Sequence, residues 1–98
     1  MERKNNVLRG RLLRFFYDAR PDEVELVSLM GVFYEYFKVD SIEREVEYLT
    51  DKGYTKKREV PHPYKQGVFI SLYSITSSGV DLIEGLKKDM AVAVVAEE

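Results

Sequence analysis

The 98-residue chain has no cysteine, no tryptophan, one histidine and only three prolines. Without cysteine there are no disulfides and no thiolate metal sites. A single histidine leaves no partner for an imidazole-based metal set or a Ser-His nucleophile pair, and no glycine-rich phosphate loop is present. No cofactor, metal or enzymatic activity is therefore expected. No stretch approaches the ~20 apolar residues of a membrane span. The apolar run near the N-terminus is short and broken by arginines, so no signal peptide is expected. A cytoplasmic protein is expected.

What is present is an ordinary globular composition, 45% hydrophobic and 33% charged, sized for one domain. The net charge of -2 exerts no global pull on a polyanion. Its distribution is more telling, because the sign alternates along the chain. Residues 1–20 carry a net +4, 21–53 a net -6, 54–75 a net +3 and 76–98 a net -3. Any anion-binding surface must come from the first and third blocks.

Hydrophobic periodicity predicts a first helix over 6–19, with Val7, Leu8, Leu12, Phe15 and Phe16 at helical spacing. Arg20-Pro21-Asp22 stops it, since a residue before proline avoids the helical region. A second helix is predicted over 23–37, opened by Asp22 as cap. Leu26, Leu29, Met30, Phe33 and Phe37 form its stripe, and Val27, Val32, Tyr34 and Tyr36 widen it beyond one face. A third, from Asp40, has the form of a capping box in Asp40-Ser41-Ile42-Glu43. Ile42, Val46 and Leu49 are its buried stripe, and Gly53 ends it.

Two strands follow, 54–60 and 68–75, joined by Pro61-His62-Pro63-Tyr64-Lys65-Gln66-Gly67 as a hairpin loop. Strand alternation sends Lys57 to the face opposite Lys56 and Arg58. A last helix runs from Thr76 as cap to Lys88, with Val80, Ile83 and Leu86 inward and Leu82 on the flank. Residues 1–90 then form the domain and 91–98 a C-terminal tail, free to fray, pair as a strand or pack on a partner.

Two segments carry a resemblance. Val39 to Tyr54 resembles the recognition helix and following turn of winged helix-turn-helix regulators. Ile75-Thr76-Ser77-Ser78-Gly79-Val80-Asp81-Leu82 resembles their closing helix. The whole, over 6–88, is similar to small ArsR-like regulators of the kind found in Mu-like prophages. The resemblance implies an α+β winged helix: a three-helix bundle, a two-stranded β-hairpin wing and a C-terminal helix. It further implies a DNA-binding transcriptional regulator whose third helix enters the major groove and whose wing touches phosphates or the minor groove.

The wing positions are then Lys56, Lys57, Arg58, His62 and Lys65. The groove-facing positions are Asp40, Ser41, Glu43, Arg44 and Glu47, with Ser41 and Arg44 the base readers. Three of those five are acidic, which opposes binding beside phosphates because the backbone term comes from cations. An alternative is a protein-interaction module whose acidic third helix binds a partner and not DNA. The wing lysines and prolines would also protect a sheet edge. Arg11 and Arg14 share a face of the first helix, to extend a basic surface or to pair with the acidic second block. The surplus aromatics of the first two helices predict a homodimer.

Overall fold

A computed structural model describes residues 3–94. Its elements run α1 (Arg3–Ala19), β1 (Val24–Glu25), α2 (Leu26–Phe33), α3 (Val39–Asp51), β2 (Thr55–Pro61), β3 (Phe69–Ile75) and α4 (Ser77–Ile83). The sheet is antiparallel in the order β1-β3-β2. Residues 95–98, the end of the predicted tail, lie outside the described residues.

The core is a single cluster. Leu8, Leu12, Leu13 and Phe16 of α1 meet Leu29 of α2, the Ile42-Val46-Leu49 stripe of α3, Tyr73 of β3, and Leu82 and Ile83 of α4. The stripe is buried as its spacing predicts. An edge-to-face contact between Phe15 and Phe33, with centroids 6.0 Å apart, ties α1 to α2.

Three predicted elements differ from those observed. The segment predicted as one helix over 23–37 begins as a strand, Val24 pairing with Tyr73 and Glu25 with Leu72. It leaves the helix at Phe33, whose carbonyl accepts from the amides of both Tyr36 and Phe37. The sheet consequently has three strands rather than two. Ladder bonds to a strand some fifty residues away outweigh a local apolar pattern that suits a helix equally well.

The capping box does not form. The N-cap is Lys38, which makes no side-chain cap bond, and Asp40 lies inside the first turn, where its charge suits the helix dipole. Finally α4 stops at Ile83 rather than Lys88, because Gly85 takes φ +83° and the Leu86 amide folds back to the Asp81 carbonyl. Leu86, predicted inward, is therefore exposed, while Leu82 is buried.

The Thr76–Gly79 turn has a physical reason. The Thr76 hydroxyl accepts from the Gly79 amide at 3.2 Å and donates to the Gly53 carbonyl at 2.6 Å. A Cβ on Gly79 would lie 2.3 Å from the Tyr54 carbonyl oxygen, so only glycine lets α4 approach the start of the hairpin this closely.

Past α4 the chain runs back along α1 as a strap. Val92 is buried in the core and the Ala93 amide donates to the Asn6 carbonyl at 3.0 Å. Asp89 anchors the strap's start, accepting from the Tyr54 hydroxyl at 2.5 Å and pairing with Lys52 at 3.3 Å. That hydrogen bond, with the Ala91 amide and Lys52, holds the Asp89 carboxyl below its usual range. Burial first, and Asp89 second, push the Tyr54 hydroxyl up to about 12.

Candidate nucleic-acid interface

The elements that the resemblance assigns to DNA are α3 and the β2–β3 hairpin. In α3, burial of Ile42, Val46 and Leu49 turns Asp40, Glu43, Arg44, Glu47 and Asp51 to solvent. Four carboxylates and one guanidinium thus share the exposed face. Ser41 is half-buried and accepts from Arg44 Nη2 at 3.4 Å. Arg44 also pairs with Glu45 at 3.4 Å.

Glu45 is the unexpected residue of this helix. It is buried, and its Oε1 accepts from Arg9 Nε of α1 at 2.6 Å. The Arg9 guanidinium lies over the Tyr48 ring, 3.7 Å from its centroid, and donates to the Ala91 carbonyl of the strap at 3.1 Å. One arginine thus joins α1, α3 and the strap. An ion pair this deep is satisfied on both sides, as burial demands. Arg14 pairs with Asp18 at 3.3 Å, and Arg11 is exposed. Arg9 is one link between the first helix and the acidic second block.

The hairpin presents its cations on two faces, as alternation predicts. Lys57 stands opposite Tyr73 on the face turned to α3, beside Glu47 and Asp51. It pairs with Glu59 at 3.5 Å, and the Tyr73 oxygen first, with Glu59 and Glu47 adding, holds its ammonium above the usual lysine range. Lys56 and Arg58 stand opposite Ser74 and Leu72 on the outer face. Arg58 is held by Glu23, while Lys56 and Lys65 make no ion pair among the described residues.

His62 shapes the loop. Its Nδ1 accepts from the backbone amides of Tyr64 and Lys65, both at 3.1 Å, and its own amide donates to the Val68 carbonyl at 2.8 Å. This closes the tip and leaves Tyr64 90% exposed beside Lys65. Of the predicted positions, the structure therefore brings Lys57 up to α3, sends Lys56 and Arg58 to the other side of the sheet, and sets His62 and Lys65 at the far tip.

Glu23, Glu45 and Glu59 neutralise Arg58, Arg9 and Lys57, and of the three only Glu59, at same-face strand spacing from Lys57, had a local mark in the sequence. The first two partnerships span 35 and 36 residues, and no local spacing signals them. Among the described residues there is no group of three or more His, Asp or Glu able to hold a metal, and no helix is long and apolar enough to cross a membrane.

The architecture matches one already seen. The crystal structure of Bacillus subtilis PadR in complex with operator DNA superposes with a TM-score of 0.63, over 93% of this chain, at 20% sequence identity. The fold is a winged helix. This chain spans about half of that one, 52% of its length. No protein-family model and no curated protein matches the sequence. In winged-helix terms α2 and α3 are the helix-turn-helix, β2–β3 is the wing, and β1 is the short third strand that completes the sheet.

Proposed function

We propose that the chain is a DNA-binding transcriptional regulator of the winged-helix type, cytoplasmic and dimeric, acting by binding and not by catalysis. The observation that carries this reading is the fold likeness over nearly the whole chain to a protein held on operator DNA. The charge pattern divides the work. Lys56, Lys57, Arg58 and Lys65 of the wing are the phosphate contacts, and His62 contributes by shaping the tip that presents Lys65. On α3, Arg44 and Ser41 are the base readers, already joined by a hydrogen bond. The narrower likeness to ArsR-like regulators of Mu-like prophages rests on the general layout of residues 6–88.

The test is binding to random duplex DNA over a salt series. Binding at low salt that weakens as salt rises is expected, since phosphate contacts release counterions. No binding at low salt sinks the proposal. Dimerisation is supported by large apolar side chains left exposed, among them Val27, Tyr34, Tyr36, Leu86 and Met90. Sedimentation equilibrium checks it, and a monomer at micromolar concentration counts against it.

A second reading has its own observation. The exposed face of α3 holds Asp40, Glu43, Glu47 and Asp51, and its one arginine leans on Glu45. Such a face suits a basic protein partner better than a phosphate backbone. The double reversal Glu43→Lys and Glu47→Lys separates the two, because it strengthens DNA binding under the first and abolishes partner capture under the second.

A further inference from the structure

Arg58 differs from the other wing cations in the quality of its partner. Its Nε donates to Glu23 Oε2 at 2.9 Å and its Nη2 to Glu23 Oε1 at 2.6 Å, a two-pronged contact. Glu23 comes from the loop before β1, so the pair reaches across β3 from the edge strand. Both side chains face water, Arg58 at 59% exposure and Glu23 at 32%, so the pair is screened and adds little to the fold. Lys56 lies two residues back on the same face and also acts on Glu23, lowering its carboxyl further after the larger effect of Arg58. Lys56 and Ser74 also line a surface groove of about 260 Å³ together with Arg20, Asp22 and Thr76.

A guanidinium fork takes a carboxylate and a phosphate diester with the same planar geometry. A carboxylate seated in that fork, on an exposed surface with a second cation alongside, marks an anion site filled from within. The geometry points to Arg58 and Lys56 as a backbone-phosphate site on the outer face of the wing, with Glu23 as its built-in competitor. It rests on the DNA-binding reading above and adds to it a residue that sets affinity without touching DNA. Phosphate enters only as Glu23 leaves, so the wild-type protein binds more weakly, and with one phosphate contact fewer, than its cation count implies.

The experiment is a salt titration of random duplex DNA with four proteins: wild type, Glu23→Gln, Arg58→Ala and the double variant. Glu23→Gln is expected to bind roughly threefold tighter at low salt, with a log-log salt slope steeper by about 0.9, the value of one added phosphate contact. In the Arg58→Ala background the same change is expected to do nothing, because the site it unblocks is gone. A gain that persists without Arg58 reflects loss of a negative charge alone and overturns the proposal. So does a Glu23→Gln protein identical to wild type, although wild-type binding in that case leaves the regulator reading intact. If none of the four binds, both fall.

Discussion

The third helix and the wing sit side by side and are built in opposite ways. The helix is fixed from beneath by Ile42, Val46 and Leu49 and by the buried Arg9–Glu45 pair, while its outer face is acidic. The wing is fixed mainly by the ladder between β2 and β3, its side chains are mostly exposed, and it carries the cations. Rigidity and positive charge are thus on different elements. On the proposed reading, the helix positions the protein on the duplex and the wing supplies the affinity. Each wing cation near a carboxylate has been partly neutralised within the chain, Lys57 by Glu59 and Arg58 by Glu23.

The contrast can be broken most forcefully at its buried anchor. Glu45→Ala leaves the Arg9 charge uncompensated in the core and is expected to cost about 3–5 kcal/mol of unfolding free energy. Urea denaturation measures it, and a loss under about 1 kcal/mol means that the pair does not anchor α3. Replacing both partners, Arg9→Met with Glu45→Leu, is expected to restore most of the loss, since the penalty comes from the orphaned charge.

Next in size is the face above that anchor. Glu43→Lys with Glu47→Lys is expected to tighten duplex binding about tenfold at low salt. Stability should stay within about 0.5 kcal/mol, because both side chains are solvated. Unchanged DNA binding would mean that α3 does not approach the duplex.

A smaller effect is expected where the end of α3 meets the strap. Asp89 has its carboxyl pKa depressed in the folded protein, so its contribution is complete above the ordinary carboxyl value of about 4 and is lost as pH falls through the lower folded value. The stability gap between wild type and Asp89→Asn should therefore be constant near neutrality and close in acid. At the other extreme, Tyr54 is raised to about 12, so its contribution holds below the ordinary tyrosine range and is lost as pH rises towards that value. A gap that does not vary between pH 2 and 6 refutes the Asp89 assignment.

The smallest effect belongs to the wing tip. Tyr64→Ser removes an almost fully exposed ring and is expected to change stability by less than about 0.5 kcal/mol. A larger loss in thermal unfolding would show that the tip is packed, and would erase the contrast with α3.

How far the sequence could be read depended on the range of the interaction. The buried stripe of α3, the Thr76 cap and the two faces of the wing cations were legible, because helical and strand periods are properties of neighbouring residues. The strand at Val24–Glu25 was not, since its hydrogen-bond partners lie on β3. Asp40 had the spacing of a cap, yet the chain enters α3 two residues earlier through Lys38. Leu86 fitted an inner face only for a helix that continues past Gly85.

The amino-acid sequence by itself determined the kind and order of most elements and the alternation of charge along the chain. The tertiary structure alone decided which charges are spent. Glu23 reaches Arg58 and Glu45 reaches Arg9 across three dozen residues, and only folding brings those groups within hydrogen-bond distance. Charge pairing acts over a few ångströms and is indifferent to separation along the chain, so the balance between an acidic helix and a basic wing is a property of the folded surface.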